Sequence, residues 1–210
     1  MVTKTTKRVP ARDSEVMRER ILAAVGRMIV RDGLAGVGIN ALAREAGCDK
    51  VLIYRYFGDL EGAYSGFAAQ GDFWWTVEEL TRGIDTRRMH AREAIKLILR
   101  RHALAIRTRP VTLAVLAAEL VDRTPLVVAL ETVRESRSLE LAKWIGERYR
   151  LPRSVDLEAI SMLIGVAINY LAVRARKIRV MSGVAIKTDR DWERIHSAID
   201  KVIDGVFGEG

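Results

Sequence analysis

A tight Gly-Cys-Asp turn at residues 47–49 separates two short helical patterns in the first third of the chain. The pattern before the turn covers residues 39–46, and the pattern after it covers residues 50–57. Asp49 is positioned to cap the second helix, because its carboxylate can accept the free N–H groups of the next turn. A longer amphipathic helix over residues 14–32 precedes both. Three helices in so short a stretch, the last two joined by a glycine turn, predict a helix-turn-helix unit.

The rest of the chain continues the helical spacing of apolar residues, and no run alternates as a half-buried strand does. The predicted fold class is all-α, with an N-terminal three-helix helix-turn-helix domain and a larger C-terminal helical domain. Residues 1–12 are expected to form a disordered basic arm, residues 13–60 the first domain and residues 61–210 the second. Prolines mark helix boundaries in the second domain, whose predicted helices are 60–84, 89–108, 111–122, 125–150, 154–179 and 189–207.

The charge of the chain favours an anionic partner. Its 210 residues carry a net charge of +8, which is compatible with nucleic acid, a membrane surface or an acidic protein. The apolar stretch at residues 159–173 is interrupted by Ser161 and Asn169, which favours a buried helix over a membrane span. Cys48 is the single cysteine, and the N-terminus lacks the apolar segment of a signal peptide. We therefore expect a cytoplasmic protein with no membrane partner.

Residues 33–64 resemble the DNA-binding signature of the tetracycline-repressor (TetR) family. The similarity is carried by Leu42-Ala43, Ala46-Gly47 and the run Ile53-Tyr54-Arg55-Tyr56-Phe57, followed by a short turn and Glu61. The resemblance implies a transcriptional regulator, commonly a repressor, that binds a double-stranded DNA operator as a homodimer. It also implies a small-molecule effector and a C-terminal domain for ligand binding and dimerisation.

Two residues depart from the family pattern. Gly38 stands where Ser or Thr is usual, and Leu60 stands where a lysine is common. Both changes remove contacts to DNA phosphates that the resemblance would otherwise imply. Glycine is a poorer but permitted helix cap, so the departures affect the expected DNA contacts rather than the fold.

The third helix offers side chains suited to reading DNA. Ile53 and Phe57 are one turn apart and are expected to face the core. The N-terminal end of the helix then points at base edges in the major groove. Lys50 can donate to guanine, while Val51 and Leu52 can pack on thymine methyl groups. Loose core packing is the alternative for these two aliphatic residues.

Four further residues are candidates for DNA contacts that position the protein or extend its reading. By the resemblance, Tyr54 and Tyr56 are phosphate-contacting aromatic residues, and Arg55 can also reach a phosphate. Asn40 corresponds to the start of the second helix, where the family touches DNA, and an amide can bond adenine or a phosphate. A local cap or a solvent contact is the alternative for Asn40.

The last two predicted helices, 154–179 and 189–207, carry the expected homodimer interface. The first is apolar around most of its circumference and must be covered on all sides. The second has apolar residues at alternating spacings of three and four, which suits packing against another helix, at Trp192, Ile195, Ile199, Val202 and Val206. A second copy of the chain can cover both helices through a two-fold contact. A monomeric core built from the same residues is the alternative.

Bulky residues on the helices expected around a cavity are the candidate effector contacts. They are Phe67, Trp74, Trp75, His102, Ile106, Leu116, Glu119, Met162, Asn169 and Tyr170. An apolar pocket with a few polar groups is the usual form of such a site, so we expect a hydrophobic or aromatic effector. Glu119 and Asn169 would contact its polar atoms. The alternative is that these two are buried polar residues satisfied within the protein.

Enzymatic activity is not expected. His90, His102 and His196 are scattered without metal-ligand spacing, and Cys48 has no placed base. No phosphate-binding or nucleophile-elbow motif occurs, so the sequence predicts no catalytic residues, no metal and no cofactor. A helical protein-interaction adaptor and a constitutive DNA-binding protein without a ligand remain as alternatives. The adaptor does not account for the cationic, tyrosine-rich third helix.

Overall fold

The computed structural model describes residues 11–121, 123–151 and 156–208. In this part of the chain the protein is all-α, as predicted, apart from one short hairpin. Ten α-helices and two β-strands follow in this order: α1 (Ala11–Asp32), α2 (Ile39–Ala46), α3 (Lys50–Phe57), α4 (Leu60–Gln70), α5 (Val77–Thr81), α6 (Ala91–Thr108), α7 (Pro110–Ala118), α8 (Pro125–Arg148), α9 (Leu157–Ala175), β1 (Val180–Met181), β2 (Val184–Ala185) and α10 (Asp189–Phe207).

The first three helices pack into a compact unit. Ile21 and Val25 on α1 are fully buried, together with Leu42 on α2 and Ile53 on α3. The boundaries of α2 and α3 are those predicted from the sequence. Helix α1 begins at Ala11, three residues before the predicted start. Most of the predicted basic arm at residues 1–12 lies outside the described residues.

The predicted helix over residues 60–84 is wrong, because the chain leaves the helical path after Gln70. Gly71 ends α4 in the left-handed conformation, with φ of 72°, which glycine adopts without steric cost. The following segment turns Phe73, Trp74 and Trp75 into the core, and α5 begins only at Val77. Apolar residues at helical spacing continue through this segment, so the pattern alone suggested one long helix.

Two further predictions need correction at the C-terminal end. The predicted helix 154–179 ends at Ala175, and the expectation of no strand is wrong because β1 and β2 form an antiparallel hairpin. Ser182 and Gly183 adopt positive φ at its turn. Helix α10 has the predicted bounds, and Thr188 and Asp191 form a capping box at its start.

Packing between helices connects the N-terminal unit to the rest of the protein. Helix α4 packs against α1 and α3 on the one hand and against α8 on the other. Helix α7 packs against α1 and α9, and α6 packs against α9 and α10. The α6–α10 contact is lined by ion pairs such as Arg100 with Asp200, at 2.7 Å, and Arg107 with Asp189, at 2.6 Å.

Candidate functional site

The turn between α2 and α3 sets the direction of the third helix. Gly47 adopts the left-handed conformation, with φ of 60° and ψ of 43°, and the amide of Cys48 donates to the carbonyl of Ala43 at 3.0 Å. Asp49 caps α3, as predicted, by accepting a hydrogen bond from the amide of Val51 at 2.8 Å. These local bonds hold α3 at a defined angle to α2, so its N-terminal end is presented rigidly.

The structure exposes the side chains at the start of α3. Lys50, Tyr54 and Arg55 are exposed, and Val51 has 61% of its surface accessible. Ile53 is fully buried on the opposite side of the helix. Exposure of Val51 on a helix whose inward face is already filled argues against loose core packing as its role. It leaves an apolar side chain available to a partner.

The remaining predicted DNA contacts are less exposed or lie on α2. Leu52 and Tyr56 are half-buried, and Asn40 is exposed in the first turn of α2. Asn40 does not cap the helix, because the N-cap position is Gly38, which forms no side-chain cap hydrogen bond. No heavy atom lies within 4 Å of the position where a Cβ at Gly38 would stand. Space for a larger residue there is therefore available.

Arg18 on α1, which sequence reasoning overlooked, fixes the C-terminal end of α3. Its guanidinium stands over the ring of Phe57, 4.9 Å from the centroid, and donates to the carbonyl of Tyr56 at 2.9 Å. A positive charge over an aromatic face is attractive, and the carbonyl is one that the helix end leaves unpaired. Phe57 is thus half-buried under Arg18 rather than fully within the core, as the sequence suggested.

A close approach between α3 and α4 also escaped the sequence analysis. Asp59 caps α4 by accepting a hydrogen bond from Gly62 at 2.7 Å, and a Cβ at Gly62 would overlap the carbonyl oxygen of Phe57. Further along α4, the hydroxyl of Tyr64 donates to the carbonyl of Val37. Helix α4 is therefore tied to the N-terminal unit at two points. A single glycine in a helical pattern gives no local sign of such a contact.

Some of the predicted effector residues come together in the larger domain. The rings of Trp74 and Trp75 lie 5.7 Å apart, and both meet His102 edge-on, at 6.1 and 5.8 Å. Nε2 of His102 is 3.1 Å from Oδ1 of Asn169. Phe67 joins the same group through Phe73. Residues from α4, α6, α9 and the segment after α4 thus form one buried aromatic and polar cluster.

Other predicted effector residues lie elsewhere. Ile106 and Leu116 belong to the buried core. Glu119 is half-buried and pairs with Arg134, an internal partner of the kind the sequence analysis left open. Met162 and Tyr170 are not brought to the cluster, because they are 58% and 44% exposed on α9. A groove of about 460 Å³ at Leu60, Tyr64 and Pro125 includes none of the predicted effector residues.

The protonation of His102 gives a test of this cluster. Burial lowers the pKa of His102 to about 4, against about 6.5 for an exposed histidine. The unfolded chain binds a proton between these values and the folded chain does not, so the resulting stability is present above about pH 6.5 and is lost as the pH falls. Between about pH 7 and about pH 5, we expect wild type to lose about 2 kcal/mol more unfolding free energy than His102→Gln.

Urea unfolding of both proteins at the two pH values measures this difference. Burial also lowers the pKa of His196, but His196 is present in both proteins and its contribution cancels in the comparison. Equal losses of stability in the two proteins would contradict a neutral, buried His102.

Comparison with known proteins agrees with this geometry. Three packed helices with an exposed start to the third define the helix-turn-helix class of DNA-binding domain. The sequence model of the tetR family of bacterial regulatory proteins matches residues 21–62, which span the buried face of α1, the turn and the start of α4. The chain is a member of the TetR family.

Curated relatives and solved structures extend the comparison. Two proteins from strains of Mycobacterium tuberculosis, each described as an HTH-type transcriptional regulator, are 35% identical over 57 residues, and the match covers 27% of this chain and 28% of each relative. A TetR-family transcriptional regulator from Haemophilus influenzae has a TM-score of 0.63 at 16% identity, covering 90% of this chain and 97% of that one. NalD from Pseudomonas aeruginosa, the secondary repressor of the MexAB-OprM multidrug efflux pump, has a TM-score of 0.64 at 17% identity, covering 90% and 97%. The structural likeness establishes the fold over nearly the whole chain.

Proposed function

We propose that this protein is a sequence-specific DNA-binding transcriptional regulator, and a repressor rather than a catalyst, that acts in the cytoplasm. The observation that carries the proposal is the rigid exposure of Lys50, Val51, Tyr54 and Arg55 on a helix capped and held from both ends. A homodimer would place two such helices in successive major grooves, about 34–36 Å apart, on a pseudo-palindromic operator.

Selection of binding sites from a random duplex pool tests this function. We expect the purified full-length protein to enrich a pseudo-palindrome with half-sites one helical turn apart. Binding that falls steeply with salt but enriches no sequence would indicate phosphate contacts alone. That outcome would favour a constitutive, non-specific DNA-binding protein over a regulator.

Residues on α3 are expected to divide into reading and positioning roles. Lys50→Ala should change the preferred base at one position of each half-site, because a lysine that donates to a base edge carries sequence information. Tyr54→Phe should weaken binding to all duplexes by a similar factor, because a phosphate contact carries none. Competition binding against single-base variants of the selected site measures both effects.

Lys143→Ala is the matched control for these variants. Lys143 is an exposed lysine on α8, so its loss removes the same charge from a surface outside the proposed interface. A uniform loss of affinity in both the Lys50 and the Tyr54 variants would contradict the division of roles.

Release of DNA by an effector is the regulatory part of the proposal. Helix α4 packs against α1, α3 and α8, so a ligand that moves α4 in the larger domain would also move α3. The spacing of the two reading helices in a dimer would then change. By linkage, DNA must weaken effector binding by the factor by which the effector weakens DNA binding. Equal effector affinity with and without the operator would exclude this mechanism.

A homodimer through α9 and α10 completes the proposal. Helix α9 is long and apolar enough to cross a membrane by composition, with a mean hydropathy of 1.5, yet only 11% of its residues are buried in one chain. Its Ile168 and Ala172 pack inward, while Leu163 and Val166 are exposed. A second copy of the chain would cover this face and bring the two N-terminal units onto one duplex.

A further inference from the structure

The segment between α4 and α5 buries two adjacent tryptophans. Trp74 is 4% exposed and Trp75 is 3% exposed. Their rings contact each other and the edge of His102, and Phe73 lies 6.4 Å from Trp74. The walls around the two indoles are thus aromatic.

Both indole N–H groups in this segment lack a hydrogen-bond partner. The Nε1 atoms of Trp74 and Trp75 are fully buried and unpaired within the described residues. Burial of an unpaired donor is unfavourable, and buried indoles usually find an acceptor. The same protein satisfies its other fully buried indole, because Nε1 of Trp192 donates to the carbonyl of Ile186 at 3.0 Å. Two neighbouring exceptions in one cluster call for an acceptor from outside the chain.

A water molecule is a poor candidate for that acceptor. A buried water needs two to four polar partners to be held in place. Around the two indoles the neighbouring groups are rings, and Asn169 is already bonded to His102. Oxygen atoms carried by an apolar molecule can accept both N–H groups while the rest of the molecule packs on the rings.

The charges near the cluster are already balanced. The guanidinium of Arg134 stands 5.8 Å from the centre of the Trp74 ring, and it pairs with the carboxylate of Glu119. Burial lowers the pKa of His102 to about 4, which keeps this ring neutral near pH 7. A buried carboxylate at the indoles would lack a free cation to pair with, and such a charge is costly. Neutral oxygen acceptors fit this environment better.

We propose that the effector is a neutral, mainly apolar molecule carrying two oxygen acceptors, such as a diester, lactone or amide, and that the indole N–H groups of Trp74 and Trp75 bind these oxygens. The inference rests on the regulatory function proposed above and assigns its ligand chemistry. The site also has a route to the DNA-binding unit. Thr112 on α7 donates a hydrogen bond to the carbonyl of Phe73, α7 packs against α1, and the segment continues directly from α4.

Three matched series of compounds test the ligand chemistry. Aromatic cores of one to three fused rings are prepared as dimethyl diesters, as dicarboxylates and as dialkyl hydrocarbons of the same size. Calorimetric titration into the full-length protein then gives their affinities. We expect the diester of the best-fitting core to bind at least about tenfold more tightly than its hydrocarbon, since each hydrogen bond to a buried donor contributes about that factor. The dicarboxylates should bind more weakly than the diesters.

Tryptophan variants assign the preference to the two indoles. Trp74→Phe and Trp75→Phe keep an aromatic ring but remove the N–H, so each should reduce the diester-over-hydrocarbon ratio by about tenfold. The ratio corrects for any cavity the smaller ring leaves. Trp144→Phe is the control, because Trp144 packs on Tyr149 and Arg148, and it should leave the ratio unchanged.

Three results would overturn the assignment: tighter binding of the dicarboxylates, a ratio unaffected by both Trp74→Phe and Trp75→Phe, or no binding by any series up to its solubility limit. Duplex selection with the same protein preparations separates this from the function itself. Specific DNA binding together with any of these results refutes only the ligand chemistry, whereas failure to enrich a duplex refutes the regulatory function whatever the ligand series shows.

Discussion

Leu163→Asp on α9 is expected to convert the protein from a dimer to a monomer and to lower its affinity for a full operator by at least about 100-fold. Leu163 is 63% exposed beside Met162, Val166 and Tyr170, which form an exposed apolar stripe on α9. Burial of a leucine contributes about 1.5–3 kcal/mol, and two-fold symmetry removes two leucines at once. A carboxylate buried in their place would lack a partner and oppose association further. Without the dimer, the second half-site no longer binds at high effective concentration.

Sedimentation equilibrium and operator titration measure the two effects, and Leu139→Asp is the control. Leu139 on α8 is 62% exposed, so it offers the same substitution at the same exposure away from the apolar stripe, and it should leave mass and affinity unchanged. A dimer that survives Leu163→Asp would refute the α9 interface. Binding of the wild-type protein to lipid vesicles, lost in the Leu163 variant, would show instead that α9 meets a membrane.

Gly62→Ala is expected to destabilise the protein by at least about 2 kcal/mol and to weaken DNA binding in the folded fraction. The added Cβ would overlap the carbonyl oxygen of Phe57, which belongs to the backbone at the end of α3. Backbone cannot rotate out of the way as a side-chain end can, so α3 and α4 must separate, and close-packed interiors resist such shifts. Because α3 carries Lys50 and Val51, the shift also moves the proposed reading residues.

Gly146→Ala provides the opposite expectation on the same chemical change. Gly146 lies in α8 with no heavy atom within 4 Å of an added Cβ, so alanine should be neutral or stabilise by up to about 1 kcal/mol through its helix propensity. Urea unfolding of both variants measures the stabilities, and duplex titration measures DNA affinity. A Gly62→Ala protein as stable as wild type would show that the close approach of α3 to α4 is not required.

Elements defined by local chemistry were predictable from the sequence. The bounds of α2, α3 and α10 were predicted correctly, and they are marked by Gly47, Asp49 and Thr188. A left-handed glycine and a capping side chain act within a few residues, so their effect is written in the neighbouring sequence. The exposure of Val51 was predictable for the same reason, because Ile53 already occupies the inward face of α3.

Elements that depend on distant partners were not predictable in this way. The break after Gln70 occurs because Phe73, Trp74 and Trp75 pack into a core formed by later helices, and the apolar pattern is the same whether the helix continues or stops. The hairpin of β1 and β2 has only two residues in each strand, which is too short for an alternating pattern to be recognised.

The sequence by itself therefore determined the all-α fold, the helix-turn-helix and the side chains offered at the start of α3, since these follow from turns, caps and spacing along a few neighbouring residues. Only the tertiary structure decided that His102 meets Asn169, 67 positions away, that Gly62 lets α4 approach α3, and that two indole N–H groups are buried without a partner. Contacts between separate helices depend on how their surfaces fit in three dimensions, and no short stretch of sequence records that fit.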